Sequence, residues 1–142
     1  MSNRYLNEIG YDPYWENPEE DSPKLQKERE FYGFDQRETW NLDETFAAWA
    51  YSHLRRLMDA SGDFINWGDE RYLVDIPSVD ERWRIDYIFT EKVTLKKAIE
   101  IMLEHFEFYL QNKCIIETED LASKHLSYAA SIWGIVLTSL WW

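Results

Sequence analysis

The sequence predicts a mainly α-helical fold: a small bundle of three long helices and a short N-terminal helix, with a small β-hairpin or an irregular insertion at about residues 63–93. Three observations predict it. Apolar residues recur at three- and four-residue spacing through 41–60, 95–111 and 118–140, the period of helices with one buried stripe. The aromatic content is high, with eight Trp, nine Tyr and seven Phe, and each ring that is buried removes roughly 150–250 Å² from water. The chain has 142 residues, an ordinary size for one core. A single domain over 1–142 is expected, with 1–21 as an irregular N-terminal arm and 22–142 as the helical core.

The arm carries Gly10, Pro13 and Pro18 with Tyr5, Tyr11, Tyr14 and Trp15 interleaved. A purely disordered tail rarely holds so many rings, so it is expected to lie on the domain or on a partner. Ser22 followed by Pro23 reads as a helix cap with proline at the first helical position. That short helix runs to about Tyr32, with Gly33 beyond its end. Asn41 and Glu44 fit a capping box at the start of the first long helix. Phe46, Trp49, Ala50, His53, Leu54 and Leu57 form its stripe, Arg55 and Arg56 suit its C-terminal dipole, and Gly62 ends it.

Residues 71–76 and 83–89 alternate partially, as half-buried strands do, with Pro77 and the residues after it turning the chain between them. Thr94 caps the second long helix, whose broad apolar face is Leu95, Ala98, Ile99, Met102, Leu103, Phe106, Tyr109 and Leu110. Thr118 opens the last helix. Beyond Ile132 that helix is apolar nearly all round, so it is either the central helix of the bundle or faces another subunit.

The formal net charge is −12. Direct binding to nucleic acid and to anionic membranes is therefore not expected. The acidity serves solubility, or it meets a basic partner, in one form by imitating nucleic acid. Cys114 is the single cysteine, which excludes an internal disulfide and zinc sites built on paired cysteines; its neighbours Ile115 and Ile116 suggest a buried thiol. The N-terminus has no signal-peptide shape and no run approaches a bilayer span, so a cytoplasmic location is expected.

His53, His105 and His125 each fall within a helix, with no paired spacing for metal, and a core position is expected for His53 and His125. Nucleophile-elbow, P-loop and dinucleotide-binding motifs are absent. No cofactor is implied. Glu100, Glu104 and Glu107 share a helix face and are the alternative reading as magnesium ligands of an all-helical nucleotide hydrolase. The segment Gly33–Asp43 is the densest in information, with Asp35, Arg37, Glu38 and Asp43 around Phe34 and Trp40. Trp40 fits a hydrophobic staple against the first long helix. Either this segment is a rigid helix start or it is a partner site, in which case Asp35, Arg37, Glu38, Trp40 and Asp43, together with Glu19, Glu20 and Asp21, are the candidate contact residues.

The string YGFDQRETWNLDETFA at 32–47, followed by an apolar helix with Leu54, Arg55 and Arg56, resembles a group of small uncharacterised phage and prophage proteins of Gram-positive bacteria. Members of that group also carry a helix similar to Met102–Phe106 and finish on a Leu-Trp pair like Leu140 and Trp141. The resemblance covers 32–58 well and the last two helices loosely; 1–31 and 63–93 have no counterpart. It implies a phage-borne origin and a host-cell location, and assigns no chemistry. The expectation is a non-catalytic phage accessory protein that binds a protein, one form being an anti-CRISPR-like inhibitor of a basic host defence nuclease. The alternatives are the metal-dependent hydrolase and a structural protein that forms a homodimer through its C-terminal helix.

Overall fold

The computed structural model describes residues 3–61 and 73–140. Gly62, the start of the first alternating segment at Arg71, Trp141 and Trp142 lie outside the described residues. In chain order the elements are α1 (Arg4–Glu8), α2 (Pro23–Tyr32), α3 (Leu42–Ser61), β1 (Leu73–Val79), β2 (Ile85–Thr94), α4 (Leu95–Asn112) and α5 (Glu119–Val136), with short 3₁₀ turns at Tyr14–Glu16, Pro18–Glu20, Gln36–Thr39 and Leu137–Ser139. The fold is mainly helical with one antiparallel hairpin, β1 against β2.

Helix α4 is the hub. Ala98, Ile99, Met102, Phe106 and Tyr109 are essentially inaccessible, and α3, α5 and the hairpin all pack against α4. It begins where its sequence predicts: Thr94 Oγ1 accepts from Lys97 N at 3.1 Å, which satisfies one of the free donors of the first turn. The hairpin turns its Ile76 and Pro77 inward, and Tyr128 Oη of α5 donates to the Pro77 carbonyl at 2.8 Å. The all-round apolar end of α5 does not become the central helix. Ile135 and Leu137 remain exposed there, because α4, with the larger continuous apolar face, takes the middle.

The stripe of α3 is rotated from the one its bulky residues suggest. Ala47, Ala50, Tyr51 and Leu54 are buried, while Trp49 is 49% exposed and His53 lies on the surface. Small side chains let helices approach closely, so the alanines take the seam and Trp49 flanks it. There the Trp49 ring stands edge-on to Trp133 (5.9 Å between centroids, 82°), and Trp133 is half-buried. Phe46 meets Phe106 and Trp133 in the same edge-on way. His53 stacks on Trp49 at 4.3 Å, which corrects its expected core position.

The capping box does not form. Tyr14 Oη accepts from the Asn41 N–H at 3.1 Å, and the Glu44 carboxylate is taken by Tyr11 and Lys113 (2.7 and 2.8 Å). The Asn41 carbonyl instead accepts from Glu44 N and Thr45 N, starting the helix. Cys114 is exposed in the turn after α4, so the thiol is not buried as expected.

The N-terminal segment is more regular than an arm. Asn3 Oδ1 caps α1 through the N–H groups of Tyr5 and Leu6. Leu6, Tyr11 and Trp15 enter the same core as α3 and α4, Tyr5 Oη donates to Asp59 (2.7 Å), and Arg55 bonds Glu8 (2.9 Å). Further on, Ser22 Oγ caps α2 by accepting from Leu25 N, and Gly33, at φ +86°, ends it in the left-handed conformation that glycine adopts without strain.

Substitution Trp15→Ala is expected to lower the free energy of unfolding by about 3–5 kcal/mol, the cost of emptying a large aromatic site. Urea unfolding measures it. A loss below about 1 kcal/mol, within the range of an ordinary substitution, would show that residues 3–21 are not part of the core.

Candidate interaction surface

Gly33 releases the chain from α2, and Asp35 immediately caps the 3₁₀ turn at Gln36–Thr39 by accepting from Arg37 N at 2.9 Å. The same carboxylate receives Arg37 Nε and Nη2 at 3.1 and 2.9 Å, a planar two-point pair. Arg37 Nη1 reaches the Asn17 carbonyl (3.0 Å). Arg29 of α2 bridges Asp21 in two-point fashion (3.0 and 2.8 Å) and also reaches Asp35. Two carboxylates and two guanidiniums thus alternate, tying 17–21, α2 and the 3₁₀ turn together.

Asp35 and Arg37 retain only 2% and 3% of their exposure. Of the two readings of this segment, a rigid helix start or a partner site, their burial fits the first: desolvated charges are stable only when paired, and Asp35 and Arg37 pair with each other. Asp21 is half-buried in the same network. The hydrogen bonds from Arg37, working against burial and helped by Arg29, hold the Asp35 carboxyl down at about 2.

Asp43 and Glu44 serve a second network. Tyr109 Oη donates to Asp43, Lys113 Nζ lies 3.3 Å from Asp43 and 2.8 Å from Glu44, and Tyr11 Oη donates to Glu44. Burial and the neighbouring Glu44 raise the Tyr11 hydroxyl far above the ordinary phenol range, so it remains a hydrogen-bond donor. This cluster joins the N-terminal segment to α3 and α4.

Trp40 is different. Its ring is 59% exposed and lies parallel to Tyr14 (6.2 Å, 5°) rather than forming a staple. Tyr14 stands edge-on to buried Trp15 (5.0 Å, 89°). The indole is therefore an outward plate on a rigid stack. Glu38, half-buried, precedes Trp40 by two residues, and Asp12 and Glu16, exposed, lie two residues to either side of Tyr14 in the chain. Burial first, then the carboxylates of Asp35 and Glu16, push Glu38 upward, and Glu16 is raised by partial burial of its carboxylate, with a smaller push from Asp12. Glu19 and Glu20 are exposed on the adjoining turn. Tyr14, Asp12 and Glu16 are the members that sequence reasoning missed, since 26 positions separate Tyr14 from Trp40 and no local spacing signals it.

The histidines form a separate feature. His105 of α4 and His125 of α5 face each other with Nδ1 to Nδ1 at 2.7 Å, so one ring donates and the other accepts. Phe108 stacks on His125 (4.0 Å), Tyr128 stands edge-on to His105 (5.0 Å), and Trp83 covers His125 at 4.1 Å. Trp83 sits at φ +61°, a strained backbone for a bulky residue, at the turn where Asp80 accepts from Arg82 N and Arg84 N. Burial pushes His105 down; burial, with the charge of His105, pushes His125 down to about 4.

Glu100 and Glu104 are exposed on α4, and Glu107 is half-buried. Among the described residues no three His, Cys, Asp or Glu gather where they could hold a metal ion, and no helix is long and apolar enough to cross a membrane. Comparison with known proteins finds no matching family model, no significant match among curated proteins and none among solved structures.

Arg37→Ala is expected to cost about 3–5 kcal/mol by leaving the buried Asp35 with only the part-exposed Arg29 as a partner, whereas exchanging both residues for Met and Leu costs less than that single change. Chemical denaturation of the two variants decides it; equal losses would contradict the pairing. Because the folded-state pKa of Asp35 is depressed, its contribution is complete above the ordinary value of 3.8 and is lost as pH falls towards 2; in Arg37→Ala the melting profile loses that limb.

The histidines titrate in a higher window. Their depressed values make neutral imidazoles part of the folded state, so stability is complete above 6.5 and declines towards pH 4. His125→Phe, which keeps a ring against Phe108, is expected to flatten the melting temperature between those limits. An unchanged slope refutes the pairing.

Proposed function

We propose that the protein is a non-catalytic phage accessory protein that binds another protein in the bacterial cytoplasm, its concrete form being an acidic inhibitor of a basic host defence nuclease in the manner of anti-CRISPR proteins. The observation that carries the binding reading is the Trp40 plate: an exposed indole lying parallel to Tyr14, with the acidic residues Asp12, Glu16 and Glu38 two positions from one ring or the other in sequence. Tryptophan dominates the energetics of many interfaces because it adds a large area at little entropic cost. Those carboxylates and the charge of −12 favour fast encounter with a basic surface. Trp40 also lies within the 32–47 string that carries the phage resemblance.

The networks around the plate support the same reading. They hold its neighbours in place through paired charges that link the N-terminal segment, α2 and the first turn of α3. Of the alternatives, self-association has one observation in its favour, the exposed Ile135 and Leu137 at the end of α5. The hydrolase reading needs a second set of carboxylates facing Glu100, Glu104 and Glu107, and no such group gathers among the described residues.

Purified protein tested against a panel of purified basic nuclease effectors is expected to bind one of them at about 50 mM salt and to weaken strongly by about 500 mM, where screening is nearly complete. Trp40→Ala is expected to weaken that complex by about 2 kcal/mol, roughly thirtyfold, as removal of a central aromatic anchor does. Absence of salt-sensitive binding across the panel ends the nuclease-inhibitor form of the proposal.

A further inference from the structure

The hairpin carries an insertion that its own packing does not use. Pro77 pairs with Thr90 and the next residue, Ser78, pairs with Asp86, so Tyr87, Ile88 and Phe89 have no partners on β1. This is a large bulge, and bulges re-aim side chains. Its three residues are all apolar or aromatic and all outward, with Ile88 87% exposed and the two rings also mostly free. Asp86 Oδ1 accepts from both Ile88 N and Phe89 N, at 2.8 and 3.2 Å. The bulge is thereby built and held, not frayed.

We propose that Tyr87–Phe89 is a second contact point, an anchor that inserts into an apolar pocket with a basic rim on a partner protein. The inference rests on the protein-binding reading of the Trp40 plate and adds a site to it. Addition of a partner strand is ruled out along the bulge, since the N–H groups of Ile88 and Phe89 are already bonded to Asp86. Only side chains are on offer, and they fit a pocket.

Charge selects the occupant. Between Leu73 and Thr94 the hairpin has five carboxylates and three cations, and two of those cations, Lys92 and Arg84, are held by its own Asp75 and Asp80 (3.1 and 2.7 Å). Glu81 and Glu91 stand exposed on either side of the bulge. A second copy would bring the same negative surface and another −12, and an anionic bilayer would repel it likewise. A pocket with basic side chains at its mouth complements both the apolar tip and its flanks.

The full-length chain is expressed in bacterial cells with the photoreactive residue p-benzoylphenylalanine at position 88, at position 40, or at exposed Lys124 as a control. Irradiation is expected to join position 88, and not 124, to one protein that mass spectrometry identifies as basic. The purified pair must then bind, with at least about tenfold loss in the I88S/F89S variant and a smaller loss in Asp86→Ala, which loosens the bulge but leaves its apolar side chains. Both variants are required to keep the wild-type melting temperature within a few degrees; a tenfold loss from Ile88→Ser alone serves if the double variant does not fold. Adducts from 88 to a second copy or to lipid, the absence of an adduct, or an unchanged affinity overturn the proposal. An adduct from 40 without one from 88 removes the bulge and leaves the Trp40 plate standing. Adducts from neither position remove both.

Discussion

Helix α4 has an apolar face too wide for any one neighbour to cover, and the rest of the molecule is arranged by the need to cover it. Ala98, Ile99, Met102, Phe106 and Tyr109 are all at 1% exposure or less. None of the elements that enclose them is stable alone: a two-stranded hairpin is marginal in water, and helices of this length gain most of their stability from packing. Each therefore takes its place by contributing apolar surface to the common core. Two consequences follow in the C-terminal half of α4. The hairpin's strained turn lays Trp83 over the histidine pair. One to two turns further along α4, Tyr109 and Lys113 meet the acidic first turn of α3, and Tyr11 completes that cluster. The N-terminal segment that supports Trp40 is thus positioned through α4, though it makes its own contacts with α3.

The features legible in the sequence were those with a local physical cause. The cap and stop of α2 follow from Ser22, Pro23 and Gly33, and the start of α4 from Thr94, because each acts within three or four residues of itself. Partial alternation in 71–76 and 83–89 left a hairpin or an irregular insertion open; the hairpin forms, but Pro77, expected in the turn, lies inside β1 and pairs with Thr90, and the turn follows Val79. The phase of α3 was not legible. Periodicity gives the spacing of a stripe, but the choice between Trp49 and its alanine neighbours depends on how closely α4 approaches, and small residues permit the closer contact. The bulge in β2 escaped for a related reason. Tyr87, Ile88 and Phe89 look like strand residues, and only the register of the partner strand reveals that they are unpaired.

The segment Gly33–Asp43 divides by burial. Composition alone placed Asp35, Arg37 and Trp40 in one patch. The choice between a rigid helix start and a partner surface then turns on burial, which short sequence spacing does not encode. In the structure the segment has a buried part and an exposed part. Asp35 and Arg37 are the rigid part, closed by Arg29 and Asp21. Trp40 is the outward part, and its support comes from Tyr14, which is distant in sequence.

This division limits what the acidity of the chain can do. Imitation of nucleic acid requires free carboxylates at phosphate-like spacing. Around the motif, Asp21, Asp35, Asp43 and Glu44 are paired with Arg29, Arg37 and Lys113, so they add little to the outward field. The carboxylates left free of those pairs in this part of the chain include Asp12, Glu16, Glu19, Glu20 and Glu38. Exposed charges of this kind are screened beyond about 8–10 Å at physiological salt and mainly accelerate encounter. Short-range selectivity therefore has to come from shape and apolar contact, the contribution that a rigid, half-exposed indole can make. A partner recognised by charge alone would tolerate loss of Trp40, whereas a partner recognised by this surface depends on it.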